Sequence, residues 1–447
     1  MPAAVKTAIE AREVLDLLSR HILVDGYHVV MDLRKSRGSY LYDARSERFI
    51  LDFYTNFATC PIGYNHPKLD NPEFRERLTE AALTKPANSD IYTQAYAEFV
   101  ETFTRLAVPP SHAKHLFFVE GGSVAIENAL KTAFDWKVCK NFARGYREEK
   151  GTDVIHFKNA FHGRTGYSLS LTNTADPRKT QYFPKFDWPR ITCPKLSFPV
   201  TDAVLQEVER LEKTAVEEIE RAVRERKDDI AALIIEPIQG EGGDNHFRPE
   251  FFRALRRLAD EHEFLLISDE VQTGVGATGS MWGWQTMGFV PDIFAFGKKT
   301  QVCGIAVNSR IDDVDSVFKV SSRINSTWGG NLVDMVRAAR YFEIIDEDRL
   351  VENARAVGAH LLVKMSALAE EMPRLVSNVR GRGLFLAFDL PSGDLRAKAL
   401  EACLEEGLMA LASGYNAIRF RPALNLTSEQ ADEGIEKLRK ALLRLSS

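Results

Sequence analysis

The 447-residue chain lacks the marks of several large protein classes. No apolar run approaches the roughly 18 residues that span a bilayer, and the first 20 residues carry charges where a secretory signal needs an apolar block. A cytoplasmic protein with no membrane partner is expected. The five cysteines, Cys60, Cys139, Cys193, Cys303 and Cys403, are scattered and form no C-x-x-C pair, which argues against a disulfide framework or a thiolate metal site. The ten histidines include no H-E-x-x-H pair, so no metal is expected. Lys and Arg number 58 against 63 Asp and Glu, with no basic block and a net charge of −5, so nucleic acid is not an expected partner. There is no internal repeat or low-complexity tract. What is present, 45% hydrophobic and 27% charged residues, suffices for two domains around sizeable cores and points to small molecules as ligands.

The rhythm of the chain changes along its length. Residues 8–22 read as a short amphipathic helix, and Val29 to Leu33, Tyr40 to Asp43 and Phe49 to Phe53 alternate like antiparallel strands. From about residue 60 to 330, short apolar runs alternate with helical stretches such as Ile126 to Lys137 and Val204 to Arg224. The runs, Leu116 to Val119, Val154 to Phe157, Ala232 to Ile235, Phe264 to Ile267 and Ile293 to Phe296, do not alternate, as expected of parallel strands covered on both faces. Beyond about 335 come helices over Met335 to Ile345 and Leu350 to Met372, a strand over Leu384 to Asp389, and a closing strand and helix. The fold class is α/β. A large domain with a mostly parallel sheet, residues 61–334, is followed by a smaller α+β domain, 335–447, which the N-terminal segment 1–60 joins.

In open parallel sheets, ligands bind beyond the carboxyl ends of the strands. Here those ends carry Glu120-Gly121-Gly122-Ser123 before a helix, then Asn159 to Arg164, Glu236 to Glu241, Ser268 to Gly274, and Gly297-Lys298-Lys299. Bare amides at a helix N-terminus can hold a phosphate. An amide cradle, a flat aromatic, a carboxylate and a lysine on one rim suit an anionic, planar, aldehyde-bearing cofactor, and pyridoxal 5'-phosphate fits. Lys298 is the candidate for the Schiff base, which requires an amine whose charged form is disfavoured. Asp269 is the candidate carboxylate that keeps the ring nitrogen protonated.

At these positions the sequence resembles the class III, or subgroup II, aminotransferases of fold type I. The matching segments are HLFFVEGGSVAIENALKTAFDW, AFHGRTGYSLSLTNT, FPKFDWPRI, EPIQGEGGDNHFRPEFF, DEVQTGVGATG, PDIFAFGKKTQVCG, RINSTWGGN and IRFRPAL. The resemblance implies Lys298 as the Schiff-base residue, Asp269 against the pyridinium nitrogen, Gln272 near the phenolic oxygen, and Val271 and Phe161 on the two ring faces. Many relatives carry Tyr in place of Phe161. His162 and Glu236 are placed in the cofactor site, Gly122 and Ser123 at the phosphate, and Ser326 and Thr327 there from the neighbouring subunit of a homodimer with shared active sites. It further implies that Arg164 holds a distal substrate carboxylate, that Arg419 binds the α-carboxylate of 2-oxoglutarate, and that Glu241 is the switch partner of Arg419. Arg421, two places on, shares a face with Arg419 if the segment is a strand, and only the resemblance chooses between them. Asn325 and the segment Lys85 to Asp90 match members acting on lysine. The substrates implied are L-lysine, donating its ε-amino group, and 2-oxoglutarate, with ornithine or 4-aminobutyrate as alternative donors.

Two other readings compete. Gly274 to Gly279 fits G-x-G-x-x-G, but the following Ser280-Met281-Trp282-Gly283-Trp284 is a poor helix start, against the context a dinucleotide site needs. A non-catalytic cofactor-binding protein should have lost the lysine or the carboxylate, yet Lys298, Asp269 and Gln272 are all present.

Overall fold

The computed structural model describes residues 9–446. Residues 1–8, part of the expected 1–60 segment and the start of the expected first helix, and Ser447 lie outside the described residues. The expected helix is a 3-10 turn, Ala11–Glu13, leading into Val14–Ser19. Strands β1 (Tyr40–Asp43) and β2 (Arg48–Asp52) pair antiparallel, one register from Tyr40 opposite Leu51 to Asp43 opposite Arg48. The expected strand at Val29 to Leu33 is reduced to a single bridge, Met31 to Asp43. Two backbone bonds flank the bridge, Asp32 N–H to the Tyr42 carbonyl at 3.0 Å and Ala44 N–H to the Val30 carbonyl at 2.7 Å, while side chains take the amides around it: Asp43 accepts the Val30 N–H at 2.9 Å, and Asp32 accepts the Arg34 and Lys35 amides at 2.8 and 2.9 Å, turning the chain.

The central sheet has seven strands: β3 (His115–Val119), β4 (Asp153–Phe157), β5 (Arg190–Ile191), β6 (Ile230–Ile235), β7 (Leu265–Asp269), β8 (Ile293–Phe296) and β9 (Cys303–Val307). Their order is β3-β9-β8-β7-β6-β4-β5. Pairs among β5, β4, β6, β7 and β8 are parallel, whereas β9 runs antiparallel to both β3 and β8. The chain leaves β3 at one side, enters β4 near the other, and works back through β6, β7 and β8. All six residues of β6 are buried, which is why the apolar runs do not alternate. Helices Gly122–Ala143, Asp202–Glu225 and Pro249–Glu261 follow β3, β5 and β6. The Thr201 hydroxyl caps the second of these by accepting the Val204 N–H.

After helices Leu332–Glu347 and Leu350–Glu371, β10 (Ser377–Arg382) and β11 (Phe385–Asp389) open a four-stranded antiparallel sheet. Strands β12 (Leu408–Met409), β13 (Leu411–Ser413) and β14 (Ala417–Phe420) follow, and the sheet order is β10-β11-β14-β13. Strand β12 instead pairs parallel with β2, so the end of the chain returns to its beginning. Among the described residues no helix is long and apolar enough to cross a membrane.

Candidate active site

The loops after β3, β4, β6, β7 and β8 supply most of the residues singled out above. Lys298 follows β8 with φ 53°, a left-handed conformation that a side chain seldom adopts. A 3-10 turn over Lys298–Thr300 and Gln301, also left-handed at φ 63°, then reverses the chain into β9. Burial, followed by the nearby Arg419 cation, pushes the Lys298 amine down to about 8, and Asp269, Glu236 and Glu241 oppose that shift. Lys299 points elsewhere: its Nζ donates to the Gln272 carbonyl at 2.7 Å.

Asp269 ends β7 and is buried. Its Oδ2 accepts from His162 Nδ1 at 2.8 Å and its Oδ1 from the Val271 N–H at 3.1 Å. A carboxylate can only accept, so His162 carries its proton on Nδ1, and Asp269 keeps lone pairs for a further donor. Glu236 is buried behind this pair, accepting the Phe161 and Gly240 amides at 3.0 and 2.9 Å. Burial pushes its carboxyl up to about 7.

Gly122 opens the helix after β3, where backbone amides have no partner within the helix. A Cβ at Gly122 would meet Val271 Cγ1 at 2.9 Å, so only glycine lets this turn approach the loop after β7. The Ser123 hydroxyl lies 2.8 Å from Thr165 Oγ1 and 2.6 Å from Ser168 Oγ, and accepts the Arg164 N–H at 3.2 Å, tying the loops after β3 and β4 together. Phe161 is half-buried, with the exposed Arg164 guanidinium 5.8 Å from its ring centre.

The two arginines near the end of β14 have different partners. Arg419, within the strand and buried, donates to Glu241 Oε2 at 2.6 Å and to Gln272 Oε1 at 3.4 Å. Arg421, just past the strand, donates to the wholly buried Asp244 at 2.6 Å and lies 3.2 Å from the centre of the Phe385 ring. Glu241 is also held by Lys179 on its other oxygen. Burial works against its charge, but Arg419 and Lys179 outweigh that and hold its carboxyl below the usual range. Sequence reading missed Lys179, because a lysine in Asp176-Pro177-Arg178-Lys179 looks like any solvated loop charge.

The segment Asn325-Ser326-Thr327 is not drawn into this cluster by any hydrogen bond among the described residues. The Thr327 carbonyl accepts from Ser89 Oγ at 3.0 Å, and Asn325 Oδ1 accepts the Ser326 N–H at 2.7 Å. Lys85 bridges the same region to the loop after β3, with Nζ 3.3 Å from the Trp328 ring centre and 3.0 Å from Glu120. The Gly274 to Gly279 stretch forms turns followed by a 3-10 helix, Gly283–Thr286. The Gly274, Gly276 and Gly279 amides donate to the Glu270, Met281 and Gly276 carbonyls at 2.9, 3.2 and 2.9 Å, so the amides a dinucleotide phosphate would need are already taken.

The chain belongs to the aminotransferase class-III family, whose model matches residues 23–442. It is an aminotransferase, with pyridoxal phosphate as its cofactor. The chain is similar to the L-lysine-epsilon aminotransferase of Mycobacterium tuberculosis (strain ATCC 25618 / H37Rv), 49% identical over 431 residues, 96% of this chain and 95% of that one. It is 47% identical over 446 residues to the L-lysine-epsilon aminotransferase of Amycolatopsis lactamdurans, covering 99% and 98% of the two chains. The solved structure of lysine aminotransferase from M. tuberculosis in the internal aldimine form superposes with a TM-score of 0.95 at 48% identity, covering 98% of this chain and 100% of that one. The residues fit the cofactor: Asp269 keeps an open acceptor, and the Lys298 amine donates no hydrogen bond among the described residues.

Proposed function

We propose that the protein moves the ε-amino group of L-lysine to 2-oxoglutarate, giving L-glutamate and 2-aminoadipate 6-semialdehyde, which cyclises to 1-piperideine-6-carboxylate. The identity to proteins named L-lysine-epsilon aminotransferase supports the donor. The observation that carries the reading is the Arg419–Glu241 pair, 2.6 Å long, whose two charges both act on Lys298. One pocket must take a terminal ammonium in one half-reaction and a carboxylate in the other. With Glu241 on it, Arg419 is neutralised and a cationic donor approaches Lys298. With Glu241 withdrawn, its guanidinium grips the α-carboxylate of 2-oxoglutarate through parallel hydrogen bonds. Arg164 would take the distal carboxylate, and Asn325 would bear on donor choice.

When bound, pyridoxal phosphate supplies an aldehyde for amines and an electron-accepting ring. Lys298 would hold the group at its aldehyde carbon, and the same amine is the base placed to move a proton near neutral pH. Asp269, steadied by His162, would keep the proton on the ring nitrogen. Val271 and Phe161 would flank the ring, Gln272 would reach its phenolic oxygen, and Glu236 would fix the loop that carries Phe161 and His162. The amides of Gly122 and Ser123 would take the phosphate, joined by Ser326 and Thr327 of the partner subunit in a cytoplasmic homodimer. Residues 61–334 would form the cofactor domain, and 335–447, joined by 1–60, the smaller one.

The test is a donor panel of lysine, ornithine and 4-aminobutyrate with 2-oxoglutarate, following glutamate and the cyclic imine. Lysine should show the highest kcat/KM. Ornithine outcompeting it would refute the donor assignment.

A further inference from the structure

Among the described residues, Glu241 is the one carboxylate shared by Arg419 and a second cation. Its Oε2 accepts from Arg419 Nη2 at 2.6 Å, and its Oε1 accepts from Lys179 Nζ. The two cations sit on different sides. Arg419 is buried beside Gln272, whereas Lys179 and Glu241 line an open hollow of about 690 Å³ whose other charged residues are Asp176, Arg178, Asp394 and Arg396, and which Arg419 does not reach. Glu241 therefore stands between the buried Arg419 and this hollow, bonded to a cation on each side.

Its backbone is tied down while its side chain has room. The Gly414 N–H donates to the Glu241 carbonyl at 3.0 Å, Ser413 Oγ donates to the Gly240 carbonyl at 2.7 Å, and the Gly240 N–H donates to Glu236 at 2.9 Å. Movement of Glu241 is thus a rotation of its side chain, and the open space beside it is the hollow it shares with Lys179. A carboxylate leaving Arg419 with no other partner would be a partly buried charge left unpaired, which is costly. Of the three cations lining the hollow, Arg178 is bonded to Asp176, which leaves Lys179, already bonded to Glu241, and Arg396, whose Nη1 donates to the Gly414 carbonyl at 3.0 Å while its buried Nε has no partner among the described residues.

Resting on the proposed function, we propose that Lys179 is a positioning residue that sets the acceptor side of the reaction: it receives Glu241 whenever a dicarboxylate substrate claims Arg419. Lys179 touches neither substrate nor cofactor. It lowers the cost of exposing Arg419, so its loss should penalise the half-reaction that needs Arg419 bare and spare the one that needs it covered.

The experiment measures the two half-reactions of the holoenzyme separately by rapid mixing, with lysine for one and 2-oxoglutarate for the other, following the bound-cofactor absorbance. Lys179→Met, and Lys179→Gln as a second uncharged variant, should shift the ratio of the two second-order rate constants about tenfold or more toward lysine, the scale of one charge-assisted hydrogen bond. The shift should reside in the concentration dependence on 2-oxoglutarate, and Lys179→Arg should restore the ratio. Parallel loss of both half-reactions, an unmoved ratio in both uncharged variants, or no rescue by arginine would overturn the inference. A wild-type protein that transfers nothing between lysine and 2-oxoglutarate would refute the proposed function instead, so the two failures are distinct.

Discussion

The amine of Lys298 is held down to about 8 by burial and then by Arg419. At pH 7 such an amine is neutral in about a tenth of molecules, against roughly one in 3000 at the ordinary lysine value. The structure therefore supplies on the order of 300-fold more reactive amine at neutral pH. Capture of free pyridoxal phosphate by cofactor-stripped protein depends on that neutral form, because a protonated amine has no lone pair to attack an aldehyde. The sign follows: the capture rate should rise about tenfold between pH 7 and the plateau reached above about pH 9. The assay is stopped-flow absorbance of the bound cofactor across this range, with Lys298→Ala as the blank. Arg419→Met should move the midpoint upward but leave it below the ordinary lysine value, since burial, the larger cause, remains. A rate still climbing tenfold per pH unit up to pH 10 would show that the fold does not depress this amine and would refute the reasoning.

Glu241→Ala leaves Arg419 bare toward the site and Lys179 without its partner on the other side. The lysine half-reaction should slow about 10- to 100-fold, from the loss of a charge-assisted bond and the exposure of like charge to a cationic donor. The 2-oxoglutarate half-reaction should not slow, and half-reaction kinetics test both. Asp269→Asn retains an acceptor for His162 but no longer holds a charge against a protonated ring. Turnover should fall by orders of magnitude while the protein still binds cofactor, as read by its absorbance. Arg421→Met strands the wholly buried Asp244 and should cost about 3–5 kcal/mol in denaturant unfolding. Arg419→Met, whose partner Glu241 keeps Lys179, should cost less stability yet abolish use of 2-oxoglutarate. The reverse ranking would show that the roles of the two arginines are exchanged.

Much of the fold was legible because its signals are local. The five unbroken apolar runs became β3, β4, β6, β7 and β8, since a strand buried on both faces leaves no polar alternation to confuse. Strand β9 was not legible. Its antiparallel course depends on the left-handed turn at Lys298 and Gln301, which side-chain patterns do not announce. At the N-terminus an alternating pattern over Val29 to Leu33 misled, because Asp32 and Asp43 hydrogen-bond nearby amides and take over the backbone's partners.

At the site, sequence alone determined which chemical groups stand at the strand ends: the Lys298 amine, the Asp269 carboxylate and the glycines of the helix entry. These are properties of residue type and of position relative to a strand, and both can be read along one dimension. Tertiary structure alone decided how those groups are charged and paired. The choice between Arg419 and Arg421 became physical only when β14 placed one against Glu241 and the other against Asp244. Lys179 meets Glu241 only because the chain brings it to a carboxylate 62 residues away. Burial and charge proximity are sums over neighbours distant in sequence, and no local pattern encodes such a sum.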